Sequence, residues 1–323
     1  MQKLEIVNYL KGFSILTIVL MHLIQSYDIP KIIRTASSFG GAGVHVFILC
    51  SGFGLFLSQL NKPIPYLNFL KRRFIKVYIP YIIIILLSAC TPYYITENTW
   101  IEVLSHVFLF KMFIESFENS FGGQMWFVST IIQFYLLWPL IVKLAQFKWK
   151  GVLISLIISL SWAIFITLLD INDQRIWNSF FLQYLWEFVL GMRLAELYYQ
   201  QPTIIRIPSL KILFSTAIIG MLLTSIAGIK GGWLKVFNDI PSLIGYLSLL
   251  LITYKTLPLI WKKFILYTNK ISYEWYLSHI LIFICCQNII PIESYWITSL
   301  LSFITSYVFA NVYSKILKLM HIK

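Results

Sequence analysis

The sequence predicts an all-α integral membrane protein, with about ten transmembrane helices in one bundle and both termini in the cytoplasm. The first supporting observation is composition, since 59% of the 323 residues are hydrophobic and only 12% are charged. Ordinary soluble domains carry about twice that share of charged residues. The second observation is the recurrence of apolar runs long enough to cross a bilayer. The third is the position of the basic residues between those runs.

The predicted helices are ten apolar runs separated by charged or Pro/Gly-rich breaks. In chain order they cover residues 10–27, 42–60, 77–95, 125–142, 151–169, 180–199, 212–229, 240–257, 272–291 and 295–313. They leave little sequence for a second folding unit, so residues 1–323 are expected to form a single transmembrane domain with no appended soluble domain. The longest predicted external loop is 96–124. Its apolar stretch is expected to form an interfacial helix, with Trp100 at headgroup level and His106 at the interface.

The lysine and arginine residues are distributed unevenly between the two sides of the predicted bundle. With the amino terminus inside, most of the 26 fall in inner segments, and the largest cluster is Lys62, Lys71, Arg72, Arg73 and Lys76. This asymmetry predicts cytoplasmic termini. It also accounts for the formal charge of +13 without a nucleic-acid partner, because the charges lie in short loops rather than on one amphipathic face. The four cysteines show no spacing typical of a metal site, so no metal is expected.

The first predicted helix carries two ionisable residues, Lys11 and His22, which lie eleven positions apart. That separation is about three helical turns and about 16 Å of rise, so both side chains project from nearly the same face. Ionisable residues within a membrane span are costly and often functional. The alternative is structural, with Lys11 extending to the interface and His22 hydrogen-bonded in the bundle interior.

Five motifs occur along the chain in a fixed order. They are K-x10-H in the first span, "GGAGVHVFILCSGF", "RRFIKVYIP", "MWFVSTIIQFYLLWPLI" and "ISYEWYLSHILI". The ordered set resembles the membrane acyltransferase 3 family, whose members show an Arg-x10-His first helix and an R-x-x-R pair before an I-x-P stretch. Three positions depart from that pattern, since Asn8 stands where an acidic residue is common and Lys11 and Lys76 stand where the family has arginine. Lysine keeps the charge and loses the bidentate fork of arginine.

The resemblance implies transfer of an acyl group, expected to be acetyl, from cytoplasmic acyl-coenzyme A to a hydroxyl of a cell-surface or lipid-linked carbohydrate. Cations at the cytoplasmic mouth can hold the phosphates of this donor, so Arg72, Arg73 and Lys76 are expected to bind it there. The alternative is that these residues anchor the chain at the membrane surface. His22 would then be the general base, with Lys11 on the same stripe as a second catalytic candidate. The expected partners are acyl-coenzyme A, a carbohydrate and membrane lipid, and the expected location is the bacterial cytoplasmic membrane.

Five further residues are candidates for contact with substrate or for lining a tunnel. A carboxylate at the depth of Glu187 should face a polar cavity or stay protonated. His279 is either an interior residue with satisfied hydrogen bonds or a catalytic partner, and Ser51 either contacts substrate or belongs to a small-residue packing surface with Gly52. The other two candidates are Trp126 and Tyr273.

A transport function is the alternative. A polytopic transporter or exporter of a glycan or lipid-linked sugar would also carry ionisable residues within its spans. The sequence shows no pair of Gly/Pro-interrupted half-helices in matching positions, a feature of many transporters. The acyltransferase interpretation is therefore preferred, while the acceptor and the oligomeric state are not determined by the sequence.

Overall fold

The computed structural model describes residues 5–27, 29–204, 206–289 and 295–322, and these residues form helices and connecting turns without a β-strand. We number the helices in chain order. The first nine are α1 (Glu5–Gln25), α2 (Lys31–Ser37), α3 (Gly43–Asn61), α4 (Tyr66–Arg73), α5 (Ile79–Ala89), α6 (Thr99–Val107), α7 (Trp126–Leu136), α8 (Trp138–Gln146) and α9 (Trp149–Leu168). The others are α10 (Arg175–Asn178), α11 (Leu185–Gln200), α12 (Leu210–Lys230), α13 (Trp233–Val236), α14 (Asp239–Thr256), α15 (Leu259–Thr268), α16 (Ser272–Ile289) and α17 (Tyr295–Leu319).

Each of the ten predicted spans overlaps at least one of these helices, so the all-α prediction is confirmed. Within the described residues, five helical stretches are long and apolar enough to cross a membrane: Glu5–Gln25, Lys31–Asn61, Trp149–Leu168, Leu210–Lys230 and Trp296–Leu319. The helices at the other predicted spans are shorter, less apolar or broken. The count of ten crossings and the cytoplasmic termini therefore stay predictions.

The predicted span 125–142 is a bent pair of helices rather than one straight helix. Gly123–Leu136 and Trp138–Gln146 meet at 67°, and together they pass the same test of length and apolarity. The bend coincides with Pro139 in the first turn of α8. Proline has no backbone N–H to donate to the preceding turn, and its ring crowds the carbonyl four residues earlier. The sequence is largely apolar throughout residues 125–142, so its hydrophobic pattern predicted one helix and not the bend.

Glycines bring α3 and α11 into close contact. A β-carbon added at Gly52 would lie 2.1 Å from the Phe188 backbone oxygen, and one at Gly191 would lie 2.0 Å from the Leu49 backbone oxygen. Small residues allow helices in a membrane to approach this closely. Close packing matters there because lipid tails are as apolar as the side chains, so burial of apolar surface alone does not drive helices together. The packing role predicted for Gly52 is confirmed. The crossing also fixes the N-terminal half of α3 beside the first turn of α11.

The bundle has two distinct faces. One cavity is lined by Asn8 at the start of α1, Lys62 after α3, Lys270 before α16 and Lys318 near the end of α17, so these helix ends meet at one face. We call this the basic face. The end of α1 and the start of α3 lie at the opposite face, together with α10 and the starts of α7, α11 and α14. We call this the far face.

The segment 96–124 covers part of the far face and is folded inward more than predicted. His106 is fully buried, and its ring nitrogens contact the Tyr81 hydroxyl and the Ser120 hydroxyl, the latter at 2.9 Å. The prediction of an interfacial His106 is therefore wrong, because both ring nitrogens find protein partners inside the loop. Trp100 is largely exposed, as expected of a residue on the outer side of α6.

Candidate active site

A cavity of about 1010 Å³ enters the bundle from the basic face. It lies between α1, α3, α7 and α16 and is bounded by the junction of α4 with α5 and by the end of α17. Ligand pockets commonly range from about 300 to 1,000 Å³, so this cavity has room for a large organic molecule. Apolar side chains form much of its wall, and polar groups are concentrated near the mouth.

The mouth of the cavity is strongly basic. Six cationic side chains line it, contributed by five separate parts of the chain: Lys11, Lys62, Arg73, Lys76, Lys270 and Lys318. The cavity lining also includes one acidic residue, Glu274. A ring of cations around a cavity entrance attracts phosphate or carboxylate groups and holds them through charge-assisted hydrogen bonds.

A π-helical turn, Phe74–Tyr78, connects α4 to α5 at this mouth. Pro80 follows it in the first turn of α5, where it has no N–H for the carbonyl of Lys76 and crowds that oxygen. The wider π-helical turn before Pro80 makes room for the proline ring, so the helix continues into α5. Such π-turns occur frequently at functional sites. The wider turn presents Arg73, Lys76 and Val77 together to the cavity.

Two of the three predicted donor-site residues, Arg73 and Lys76, line this cavity. The catalytic candidate Lys11 and the tunnel candidates Ser51 and Tyr273 also belong to its wall. Arg72 does not; it is exposed and lies outside the lining.

Two of the lining residues already have partners in their own surroundings. The Ser51 hydroxyl donates to the Phe47 carbonyl at 2.7 Å, one turn earlier in α3. The Tyr273 hydroxyl donates to the Val77 carbonyl at 2.7 Å, which ties α16 to the π-turn. Both hydroxyl protons are thus used within the protein, so these side chains offer the cavity hydrogen-bond acceptors.

The deep end of the cavity is formed by Ile18, Phe127 and Tyr276. Ile18 lies one helical turn before His22 on α1, and Tyr276 lies nearly one turn before His279 on α16. The ring centroids of Tyr276 and His279 are 6.2 Å apart, and the Tyr276 hydroxyl donates to the Gln124 carbonyl. The cavity therefore ends one layer of side chains short of the two histidines.

His22 and His279 form a hydrogen-bonded pair. Nδ1 of His22 and Nε2 of His279 are 2.8 Å apart, and the rings are tilted by only 19° with centroids 5.0 Å apart. The two imidazoles therefore meet edge to edge in nearly one plane. His279 is fully buried, whereas His22 is partly accessible. His279 is thus an interior residue with both ring nitrogens hydrogen-bonded, and one of its partners is His22.

The hydrogen bonds of the pair determine the tautomers when both rings are neutral. Nδ1 of His279 lies 2.9 Å from the Trp275 carbonyl oxygen, which only accepts, so Nδ1 carries the hydrogen. Nε2 of His279 is then an acceptor, and Nδ1 of His22 must donate to it. The remaining nitrogen, Nε2 of His22, keeps an unprotonated lone pair. An imidazole oriented in this way is suited to act as a general base.

A second polar group lies at the far face and surrounds Glu187. Nδ1 of His45 is 2.7 Å from a carboxylate oxygen of the fully buried Glu187, and its Nε2 is 3.8 Å from an oxygen of Asp239. Gln183 donates to the other oxygen of Asp239 at 2.6 Å. Glu187 was a candidate for lining the tunnel, but it lies outside the cavity wall, and its polar partner is the imidazole of His45.

Trp126 lies beside this second group rather than in the cavity wall. Its ring stacks on Tyr184 with centroids 5.7 Å apart, and the Arg175 guanidinium lies 5.4 Å from the Trp126 ring centroid. Arg175 also interacts electrostatically with His22. Arg175 is therefore near Trp126 and within electrostatic range of His22.

Several site residues were not predicted from the sequence. His45 lies inside the quoted motif that leads into α3, in which the predicted roles concern only Ser51 and Gly52. The sequence feature that could have identified His45 is Glu187, because a carboxylate within a span needs a cationic or hydrogen-bonding partner on another span. Arg175 and Asp239 are the first residues of α10 and α14 and lie outside the predicted spans, where charged residues are ordinary and carry no separate signal.

The chain matches the family model described as an acyltransferase domain over residues 4–317, which is nearly its whole length. No curated protein and no solved structure matches the sequence significantly. The match includes the histidine pair and, except for Lys318, the residues named at the basic mouth and along the cavity. This chain is an acyltransferase and belongs to the acyltransferase 3 family.

Proposed function

We propose that this protein transfers an acyl group, expected to be acetyl, from acyl-coenzyme A to a hydroxyl of a carbohydrate. The donor enters at the basic face, and the acceptor approaches from the far face. One observation carries the proposal: a cavity with a basic mouth leads from one face to within a helical turn of a histidine whose hydrogen bonding suits it to be a base.

The basic mouth fits the head of the donor. Coenzyme A carries phosphates on its nucleotide head, and a long thin arm ends in the thioester. Lysine and arginine side chains bind phosphate through charge-assisted hydrogen bonds. The apolar wall between the mouth and Tyr276 suits the arm, because the arm carries no charge. In this arrangement the thioester comes closest to α1 and α16 at the deep end of the cavity.

The histidine pair supplies the acid–base chemistry. Nε2 of His22 accepts the proton of the acceptor hydroxyl as its oxygen attacks the thioester carbonyl carbon. The tetrahedral intermediate then collapses, the carbon–sulfur bond breaks, and the leaving thiolate takes the proton from His22. The products are the O-acylated acceptor and free coenzyme A. His279 holds the ring of His22 in the tautomer that accepts the first proton.

The tyrosine and phenylalanine at the deep end must move for this reaction. Phe127 and Tyr276 pack edge to face with centroids 5.4 Å apart, between the cavity and the histidines. Side-chain rotations of this kind take place without unfolding a helix. The thioester arm reaches His22 when these two rings turn aside.

Replacement of His22 by alanine tests the proposal. The purified protein is incubated with radiolabelled acetyl-coenzyme A and a glycan acceptor, and label in the glycan is counted. General base catalysis contributes about 10²- to 10⁴-fold, so His22→Ala should lose activity by that factor. His321→Ala, at an exposed histidine outside the cavity wall, is the matched control. Full activity in a folded His22→Ala protein would contradict the assignment. Donor-independent movement of glycan in liposomes would support transport instead.

A further inference from the structure

Four residues at the far face form a buried polar group that the chemistry proposed above does not use. They are His45 on α3, Gln183 before α11, Glu187 on α11 and Asp239 at the start of α14, and we call them the far-face polar group. His45 contacts both carboxylates, and Gln183 donates to Asp239 and, at 2.8 Å, to the Val236 carbonyl. Three helices from distant parts of the sequence thus bring polar side chains to one place.

Two oxygen atoms of this group are buried without a hydrogen bond. They are Oε2 of Glu187 and Oε1 of Gln183, and neither has a partner among the described residues. Glu187 is fully buried and Gln183 nearly so. A buried acceptor that lacks a donor costs about 1 to 3 kcal/mol, so proteins rarely keep one without a reason. Both atoms are acceptors, which indicates an occupant that donates hydrogen bonds.

The group is accessible and adjoins the histidine pair. The side chains of His45 and Asp239 keep 14% and 15% of their surface exposed, so one edge of the group is open. The ring centroids of Tyr184 and His45 are 5.8 Å apart. Trp126 stacks on Tyr184, and the Arg175 guanidinium lies over the Trp126 ring. Arg175 also interacts electrostatically with His22. A molecule held here would lie close to the catalytic base.

We propose that the far-face polar group, with Trp126 and Arg175 beside it, is the binding site of the acceptor, and that the acceptor is an uncharged polyhydroxyl molecule. This inference rests on the proposed function. Hydroxyl groups would donate to the open oxygens of Glu187 and Gln183. An anionic acceptor would meet two carboxylates, and a fatty alcohol would leave those oxygens without donors. A neutral sugar unit satisfies the site where the other two classes do not.

The test measures thiol release from acetyl-coenzyme A by the purified full-length protein as the acceptor concentration is raised. The acceptors are a set of uncharged methyl glycosides, a fatty alcohol and a sugar acid. Glu187→Gln is expected to raise the KM for the glycoside about tenfold or more, as loss of a hydrogen bond to a charged group does. Asp239→Asn should raise it as well, because Asp239 accepts from Gln183 and so holds the open oxygen of Gln183 in place. The KM for acetyl-coenzyme A should not change, because the donor cavity does not include these residues.

Glu196→Gln is the matched control. It removes the same charge from the other end of α11, where Glu196 pairs with Arg193 at 2.6 Å, and its KM for the glycoside should equal that of the parent. Melting temperatures identify variants that fail to fold. Asp239→Asn keeps the test valid if Glu187→Gln fails, since Asp239 is partly exposed and its distance to His45 is longer.

The outcomes separate this inference from the proposed function. An unchanged glycoside KM in both variants overturns the inference. Stimulation by the fatty alcohol or the sugar acid in place of the glycosides also overturns it, while acyl transfer itself stands. If no acceptor of any class stimulates thiol release, the proposed function fails.

Discussion

Arg72 and Arg73 are neighbours in the sequence and lie in different surroundings. Arg73 is half-buried, lines the cavity and lies with its guanidinium 5.6 Å from the centroid of the Phe69 ring. It also lies against the hydroxyl of Tyr135. Arg72 is exposed outside the lining. Adjacent residues on a helix point about 100° apart. One arginine of this pair can therefore face the cavity while the other faces the surface.

Arg73→Gln and Arg72→Gln are expected to differ in their effect on the donor. Loss of a charge-assisted hydrogen bond to phosphate should raise the KM for acyl-coenzyme A about tenfold or more in Arg73→Gln. Arg72→Gln removes the same charge one position away and should change that KM much less. Steady-state kinetics over a range of donor concentrations measure both values. Equal effects of the two substitutions would show that only the overall surface charge matters.

Lys111 is a fully buried lysine outside the spans, in the segment 96–124. Its Nζ donates to the Ser120 carbonyl at 2.9 Å. Burial lowers the pKa of Lys111 from 10.5 to about 7, and the carboxylates of Glu118 and Glu102 offset only part of this effect. Burial also holds the pKa of His106 well below its usual range, so this ring stays neutral at pH 7 and above.

The Lys111 site should make the protein more stable as the pH rises from 7 to 10.5. In this window the unfolded chain binds a proton at Lys111 that the folded chain has released, so the free energy of unfolding increases with pH. The full shift corresponds to a contribution on the order of 4 to 5 kcal/mol. Lys111→Met should flatten the rise of the melting temperature between pH 7 and pH 9. Lys235→Met, at an exposed lysine, is the control and should keep the parental slope.

At the scale of elements, apolarity predicted where helices occur but not how they are shaped. Each predicted span overlaps a helix because a backbone in lipid must satisfy its hydrogen bonds internally. The 67° bend between α7 and α8 and the π-turn before α5 were not predicted, although Pro139 and Pro80 mark them. Proline within a membrane helix is often tolerated, so its presence alone does not distinguish a straight helix from a bent one.

The crossing of α3 and α11 should depend on Gly52. A β-carbon at this position would lie 2.1 Å from the Phe188 backbone oxygen, which cannot rotate away, so the helices must separate. Gly52→Ala is expected to destabilise the protein by about 1 to 3 kcal/mol, as overpacking does. Thermal unfolding in detergent measures the change.

Gly54→Ala is the control for this prediction. It lies on the same helix, and a β-carbon there would have no neighbour within 4 Å. Its melting temperature should equal or exceed that of the parent, since alanine is the better helix former. If Gly52→Ala melted at the same temperature as Gly54→Ala, the close contact between α3 and α11 would be contradicted.

At the scale of the whole molecule, the sequence indicated which residues were candidates but not which of them meet. Lys11 and His22 could be placed on one stripe because both lie on a single helix of known period. His22 and His279 are 257 positions apart and share a hydrogen bond, and His45 and Glu187 are 142 positions apart. Such contacts arise from the packing of distant helices, which helical periodicity does not describe. By contrast, the ion pair of Arg193 with Glu196 joins residues three positions apart on α11, a contact that helical periodicity does describe.

The orientation of the molecule can be tested through its cysteines. Within the described residues, Cys90 is exposed just after α5, Cys50 and Cys286 are buried, and Cys285 is half-buried within α16. Cys90 lies toward the far face, away from the basic mouth. Basic residues favour the cytoplasmic side, so the basic face is expected inside the cell and the far face outside. A membrane-impermeant maleimide should therefore label Cys90 in intact cells that produce the protein. Cys90→Ser should abolish this labelling. If labelling of Cys90 required permeabilised cells, the basic face would be external, and a cytoplasmic donor could not reach the cavity mouth.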